Sequence, residues 1–363
     1  MNYYGQQNMQ GGMPVMPPPM YIPEDFVTYE EKRKIRHNYN VIGLTLFILY
    51  IAILAVCSGG YLIYALSGGE GGGLDEDGYS IYSAAELFIG GGLPAITAII
   101  VFFGHCLCTR YNPKELFNVS NVKQGDVFRY VMTVLFFQQV SFLCTIFISS
   151  ALYSMGLEVQ GLNYSVEHTP QAYMVDIFSA VILAPIGEEL IYRGVVLRCA
   201  AKVSQRFAIF FSAFIFGIMH GNPYQFVLGF LIGIPMAMIT IKSGSIIPAI
   251  ICHMTNNLIA SIPTVVEYFN EDMGYVINFI FLPVFFISGI IVFLSSVLHG
   301  KMRLPEYTLK HKRRTLPIMI TSWSMILVMI CYIYDLVTSV GPVEIPITEE
   351  PVVDYIMKFL IMR

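Results

Sequence analysis

Charged residues are scarce in this sequence of 363 residues: Asp, Glu, Lys and Arg make up 13% of it, against 55% hydrophobic residues. Soluble globular chains carry roughly 25% charged residues, so this composition argues against a soluble protein and predicts an integral membrane protein. The formal net charge of −4 is small for the length. The chain thus lacks the basic excess of a nucleic-acid-binding protein, and no nucleic-acid partner is expected.

Paired cysteines and a secretory leader are also missing. The seven cysteines are odd in number and most lie in apolar runs, which is typical of small buried side chains rather than of disulfides. Residues 1–23 contain no basic segment followed by an apolar one, so a cleaved signal peptide is not expected. Their Pro, Gly and Met bias predicts a disordered tail, which together with a basic juxtamembrane segment covers residues 1–38.

Long apolar runs, in contrast, are abundant. A helix needs about 20 apolar residues to cross the hydrocarbon core of a bilayer, and shorter runs are tolerated inside a bundle. Nine runs are found, at 41–66, 84–104, 129–153, 172–197, 207–220, 224–241, 246–263, 275–298 and 316–339. We therefore predict an all-α fold, a polytopic membrane bundle of about nine transmembrane helices over residues 39–340, followed by a C-terminal tail at 341–363.

The distribution of Lys and Arg predicts how this bundle is oriented, because cytoplasmic loops retain basic residues. If the N-terminus is cytoplasmic, nine spans place every Lys and Arg on the cytoplasmic side except Lys358 and Arg363. The loops predicted outside, 67–83, 154–171 and 264–274, contain no Lys or Arg. With the overall organisation of the chain, this pattern predicts a multi-pass protein embedded in the lipid bilayer of a bacterial plasma membrane.

Two adjacent carboxylates, Glu188 and Glu189, lie within the fourth run. Ionisable groups inside a span are energetically costly, so each of them needs a function or a partner. Glu189 and Arg193 are four residues apart on one helical face and are expected to form a buried ion pair. Glu188 points about 100° away from that face and is left without this partner. Pro185 and Gly187 weaken the helix just upstream, which would let water and an extended substrate reach its backbone.

Further polar groups end the fifth run and occupy the seventh. Phe216 and His220 share one helical face, and His253 and Asn257 share another, because each pair has i, i+4 spacing. A lone His near the end of a span is usually a satisfied interfacial residue. Here three runs carry such polar groups, which favours a shared site.

These groups can converge in depth. Glu188 and His220 are equally far along the chain from the turn predicted near Ser204, so an antiparallel hairpin places them at similar heights. A Glu, two His and an Asn in a membrane cavity can transfer an acyl group to water without a Ser or Cys nucleophile. Zinc catalysis stays open as the alternative, because two His and a Glu are a common ligand set, here Glu188, His220 and His253. The sequence lacks the local HExxH motif, whose presence would have indicated a zinc site.

The three motifs, in this order on apolar helices, resemble those of the CAAX protease and bacteriocin-processing (CPBP, or Abi) family of intramembrane endopeptidases. The resemblance covers about residues 172–262 and is carried by Glu188-Glu189-x-x-x-Arg193, Phe216-x-x-x-His220 and His253-x-x-x-Asn257. It implies cleavage of a peptide or membrane-anchored protein substrate, by enzymes described as glutamate-dependent or as metalloproteases. It also implies Glu188 as the base, His220 as its water-binding partner and His253 with Asn257 as the oxyanion site. Glu189, Arg193 and Phe216 would complete and support that site.

Two functions of other classes remain compatible with the sequence. One is a non-catalytic immunity or binding protein on the same scaffold, and the other is a proton-coupled transporter whose buried Glu carries protons. The complete set of Glu, His, His and Asn favours the enzyme over a silent scaffold. A transporter is expected to show repeat symmetry in its hydropathy, and none is found. We therefore predict an intramembrane endopeptidase that activates water through glutamate and requires no cofactor, with zinc as the open alternative.

Overall fold

The computed structural model describes residues 29–75, 80–160, 164–304 and 315–343. Within these residues the chain is almost entirely helical, and each of the nine predicted apolar runs coincides with helix. Six helices are long and apolar enough to cross a membrane, and further apolar helices are shorter. The prediction of an all-α polytopic membrane bundle is confirmed. Most of both predicted tails, residues 1–28 and 344–363, lies outside the described residues.

Ten helices are described in chain order. They are α1 (Tyr29–Leu66), α2 (Ala84–Thr109), α3 (Gln124–Ser154), α4 (170–201), α5 (Gln205–Ile218), α6 (Pro223–Ser243), α7 (Ile247–Phe269), α8 (Glu271–Leu298), α9 (Thr315–Ile320) and α10 (Trp323–Thr338). Four short strands lie between them: β1 (Ser80–Tyr82), β2 (Leu157–Val159), β3 (Tyr164–Val166) and β4 (Val340–Pro342). Helix α1 begins well before the predicted run at 41, so the basic juxtamembrane residues are helical.

The helical hairpin of α5 and α6 forms where the local signals predict it. Ser204 caps the start of α5, because its side chain accepts a hydrogen bond from the backbone N–H of Phe207. At the other end of α5, Gly221 has a φ of +69°, a left-handed conformation that glycine adopts without strain. Asn222 then caps α6 by accepting from the N–H of Gln225. The cap at Ser204 confirms the turn predicted there, and Gly221 with the Asn222 cap forms the turn of the hairpin.

Loops that the charge pattern predicts on the same side of the membrane lie at the same end of the bundle. At one end, Lys242 of α6 lies 3.0 Å from the carboxylate of Asp126 at the start of α3, and it donates to the carbonyl of Lys301 just after α8. All three segments are predicted to be cytoplasmic. At the other end, β1 pairs with β3 and β2 with β4, which joins loops predicted to be outside. These contacts agree with the predicted alternation for the loops that they join, and the identity of the cytoplasmic end stays a prediction.

Helix α4 crosses the centre of the bundle and is not a regular α-helix. Two π-helical segments, Phe178–Leu183 and Tyr192–Leu197, flank the α-helical turns Ala184–Ile191. Such π-helical turns occur frequently at functional sites. At Gly187 an added Cβ would lie 2.7 Å from the carbonyl oxygen of Ala95, so glycine lets α4 touch the backbone of α2. On this side of Gly187 the space is filled by α2, and the predicted access of water and substrate to the backbone near Pro185 and Gly187 stays a prediction.

Candidate active site

Glu189 forms the buried ion pair that its spacing to Arg193 predicts. Nη1 of Arg193 donates to Oε1 of Glu189 at 2.8 Å, and neither side chain has exposed surface. Nη2 of the same guanidinium donates to the carbonyl of Gly233 in α6 at 3.3 Å. The guanidinium carbon also lies 4.6 Å from the centre of the Phe216 ring, a cation–π contact. The pair therefore balances one of the two glutamate charges and joins α4 to both helices of the α5–α6 hairpin.

Glu188 is the accessible carboxylate of the two. Its side chain keeps 20% of its surface exposed, whereas that of Glu189 keeps none. Its Oε2 lies 3.7 Å from Nε2 of His253. This separation is too long for a direct hydrogen bond but short enough for both atoms to bind the same water molecule. The geometry leaves Glu188 free to act on a third group.

His253 contacts both glutamates. Its Nδ1 lies 3.0 Å from Oε1 of Glu189, and the residue is only 4% exposed. Because the carboxylate of Glu189 is held by the Arg193 guanidinium and accepts hydrogen bonds, Nδ1 of His253 carries the proton. A neutral imidazole then presents its lone pair at Nε2, on the side that faces Glu188. A buried carboxylate that orients an imidazole in this way is a recurring feature of hydrolytic sites.

His220 is linked to the other groups through Phe216. Nδ1 of His220 donates to the carbonyl of Phe216 at 2.8 Å, which leaves Nε2 as the acceptor of the neutral ring. The Phe216 ring makes edge contacts with His220 and with His253, at centroid distances of 5.2 and 5.5 Å. Among the hydrogen bonds and ion pairs of the described residues, none joins His220 to Glu188 directly. The two histidines are therefore neighbours of one aromatic ring, and only His253 contacts Glu188 among these hydrogen bonds and ion pairs.

Asn257 is engaged with the backbone of α4. Its Nδ2 donates to the carbonyl of Ala180 at 2.8 Å, and its Oδ1 accepts from Nδ2 of Asn256 at 3.2 Å. Asn256 is 2% exposed and belongs to none of the three motifs. The only signal for it in the sequence is the occurrence of two consecutive amides in an apolar span. The shared oxyanion role of His253 and Asn257 stays a prediction, since each makes its hydrogen bond to a different partner on α4.

The three candidate zinc ligands, Glu188, His220 and His253, are not gathered around one point. Among the described residues, no three His, Cys, Asp or Glu side chains are placed so that they could hold a metal ion. A catalytic zinc site usually has three protein ligands. The arrangement of these residues therefore does not fit a zinc centre, and the independence of the reaction from metal stays a prediction.

The central helices match a known protein family. Residues 170–259 match the family model described as Type II CAAX prenyl endopeptidase Rce1-like. The matched segment runs from the start of α4 into α7 and includes every residue of the three motifs, so the predicted family resemblance is confirmed over this segment. No curated protein and no solved structure matches the chain significantly. Helices α1 to α3 and α8 to α10 lie outside the matched segment.

Proposed function

We propose that the protein is an intramembrane endopeptidase that hydrolyses peptide bonds of membrane-associated peptides or proteins with water activated by Glu188. The observation that carries this proposal is the accessible carboxylate of Glu188, 3.7 Å from an imidazole nitrogen of His253 whose other nitrogen is bound by a second carboxylate. The family match supports a CAAX-type intramembrane protease in general.

Glu188 acts as the general base in this scheme. A water molecule between its Oε2 and Nε2 of His253 donates a hydrogen bond to each atom, so both partners increase the electron density on the water oxygen. The oxygen attacks the carbonyl carbon of the scissile bond as Glu188 removes a proton, and Glu188 returns that proton to the leaving amine. No covalent acyl-enzyme forms, and no Ser or Cys nucleophile is required.

The protonation of the two imidazoles favours a division of roles that differs from the one the resemblance implies. With the proton on Nδ1, neutral His253 accepts a hydrogen bond at Nε2, which suits water binding better than donation to an oxyanion. His220 likewise has a free acceptor at Nε2. The second N–H of the Asn257 amide then stays available as a donor to the tetrahedral oxyanion. In this scheme His253 belongs with the base, and Asn257 with the oxyanion.

The position of the site within the bundle favours a substrate held in or at the bilayer. Glu188 and His253 lie on helices that pack in the centre of an apolar bundle, and His220 lies in the turn that directly follows α5. The basic loops predict that the site lies in the cytoplasmic half of a bacterial plasma membrane, and this location is part of the proposal.

Cleavage of membrane-anchored peptides by the purified protein, measured by mass spectrometry in detergent or liposomes, tests the proposal. Replacing Glu188→Gln keeps the size of the side chain but removes the base, so turnover should fall at least about a hundredfold without loss of folding. The same change at the exposed Glu115, on the loop before α3, is the matched control and should leave turnover unchanged. Full activity of Glu188→Gln, or proton uptake without peptide cleavage by the native protein, would refute the proposal.

A further inference from the structure

The first π-helical segment of α4 ends in a gap in the backbone hydrogen bonding. In a π-helix each N–H donates to the carbonyl five residues earlier, and the last such bond here runs from Ala184 to Ser179. The next bond in this pattern would run from residue 185 to Ala180. Residue 185 is a proline and has no N–H. The carbonyl of Ala180 is therefore left without a donor from its own helix.

The side chain of Asn257 supplies the missing donor. Its Nδ2 lies 2.8 Å from the carbonyl oxygen of Ala180, although the two residues are 77 positions apart. A carbonyl left unpaired inside an apolar bundle is energetically costly, because lipid and apolar side chains offer it no hydrogen-bond donor. An amide N–H from a neighbouring helix satisfies this carbonyl, as other polar side chains do for helices broken by proline.

Asn256 determines which end of the Asn257 amide faces α4. Its Nδ2 donates to Oδ1 of Asn257 at 3.2 Å, and this holds the oxygen away from the carbonyl of Ala180. If the Asn257 amide were reversed, its Oδ1 would face the carbonyl oxygen of Ala180. Both oxygens accept hydrogen bonds, so they would repel each other. The two consecutive asparagines thus act as one unit that presents a donor to α4.

The hydrogen bond from Asn257 also distinguishes between two registers of α4. In a regular α-helix the N–H of Ala184 would bind the carbonyl of Ala180, and Pro185 would instead leave the carbonyl of Val181 unpaired. Asn257 donates to the carbonyl of Ala180, the carbonyl that lacks a helix donor when the turn is π-helical. It therefore stabilises the π-helical hydrogen-bonding register over the α-helical one. A π-helical turn adds one residue, so losing it would rotate the following side chains by about 100°. Glu188 is among those side chains.

From this geometry we infer that Asn257 is a positioning residue: its amide replaces the N–H that Pro185 lacks and holds α4 in the π register that directs Glu188 toward His253. Its consequence for catalysis rests on the proposed function. The hydrogen bond between Asn257 and Ala180 is tested by measurements of protein stability, without an activity assay. The inference and the proposed function can therefore fail separately.

A double-mutant cycle between Asn257→Ala and Pro185→Ala tests the inference. Asn257→Ala should lower the melting temperature of the purified protein in detergent, because the carbonyl of Ala180 loses its donor. In the Pro185→Ala background residue 185 has an N–H, so the same substitution should lower the melting temperature by less than half as much. Thr255→Ala is the matched control on α7, because the Thr255 hydroxyl bonds only within its own helix, to Ile251. Its effect should be equal in both backgrounds.

Turnover measures the consequence for catalysis, to which the oxyanion role proposed for Asn257 also contributes. Pro185→Ala allows either register, so it should restore the stability of Asn257→Ala but not its kcat, which should stay at least about tenfold low with KM little changed. Equal shifts of melting temperature for Asn257→Ala in both backgrounds would overturn the inference, as would full recovery of kcat in the double variant. If the native protein cleaves no peptide, the melting cycle still decides whether the hydrogen bond exists.

A second variant keeps the test independent of the folding of Asn257→Ala. Asn256→Asp places a carboxylate beside Oδ1 of Asn257 and should favour the reversed amide. Hydrogen–deuterium exchange of a peptide spanning residues 178–188 should then become faster than in the native protein, and Pro185→Ala should abolish the difference. Unchanged exchange in Asn256→Asp would contradict the proposed orientation of the amide.

Discussion

At the scale of single residues, the two adjacent glutamates have the same chemistry and different surroundings. Glu189 is fully buried and accepts hydrogen bonds from Arg193 and from His253. Glu188 keeps part of its surface exposed, and its one ion-pair contact within the described residues is the long one to His253. A carboxylate that is already paired on a buried face cannot also bind a reacting water freely. The surroundings therefore favour Glu188 as the base and Glu189 as the group that orients the imidazole.

The buried pair of Glu189 and Arg193 predicts strong coupling in a double-mutant cycle. Glu189→Leu or Arg193→Met alone should destabilise the protein by about 3–5 kcal/mol, because each leaves a buried charge uncompensated. The double variant should be markedly more stable than the sum of the two losses allows. Unfolding measured in detergent gives the coupling, and strictly additive losses would disprove a buried pair.

The same variants test the orientation of His253. Turnover should stay low in the Glu189→Leu, Arg193→Met double variant even where its stability recovers, because no carboxylate then holds the proton on Nδ1. Native turnover in that variant would mean that Glu189 has no orienting role.

The independence of the reaction from metal is a further prediction at this scale. Asn257 is a poor zinc ligand and Glu189 is already bound to Arg193. The three remaining candidates, Glu188, His220 and His253, are not placed so that they could hold one ion together. Turnover should therefore persist after exhaustive chelation, with no stoichiometric zinc in elemental analysis of the purified protein. Activity that is lost with zinc and recovered on its return would instead assign Glu188, His220 and His253 as ligands.

At the scale of elements, the site depends on how closely α5 and α6 approach each other. A Cβ at Gly217 would lie 2.6 Å from the carbonyl oxygen of Phe226, and one at Gly229 would lie 2.9 Å from the Cα of Gly217. Small residues at such crossings let two backbones touch inside a membrane. The hairpin carries Phe216 on one helix and the Gly233 carbonyl bound by Arg193 on the other. Its crossing distance therefore affects the packing around the site.

This contact predicts opposite effects for two glycine substitutions. Gly217→Ala should destabilise the protein by about 1–3 kcal/mol, because the added methyl group meets backbone rather than a movable side chain. Gly104→Ala on α2 meets nothing within 4 Å and should be neutral or stabilising by up to about 1 kcal/mol, through the higher helix propensity of alanine. Thermal unfolding of both variants measures the difference. A loss of stability at Gly104 as large as that at Gly217 would rule out a tight crossing as its cause.

At the scale of the whole molecule, loops of one predicted side meet at one end of the bundle. Labelling of introduced cysteines by an impermeant reagent, in a variant without the native cysteines, determines which end is outside. Thiols at Gly72 and Asn270 should react in intact cells, whereas thiols at Gln124 and Lys301 should react only after the membrane is opened. Labelling of Gln124 and Lys301 in intact cells would reverse the orientation.

The sequence by itself determined the succession of helices and the contacts made within one helix. Backbone inside lipid must satisfy its own hydrogen bonds, so each long apolar run forms helix whatever it packs against. The Glu189–Arg193 pair follows from the same local geometry, since residues four apart share one face of a helix. The turns at Ser204 and Gly221 are likewise local, because caps and left-handed glycines act on their neighbours in the chain.

Only the tertiary structure decided which groups on different helices face one another. The bond of His253 to Glu189 spans 64 residues, and that of Asn257 to Ala180 spans 77. Helical spacing predicts which residues share a face, but it leaves the rotation and depth of each helix free. In α4 the π-helical turns add rotation that a regular helical period does not predict, and the first of these turns depends on a donor from α7. The spacing of the motifs therefore gave the residues of the candidate site, whereas their partners depended on packing between helices.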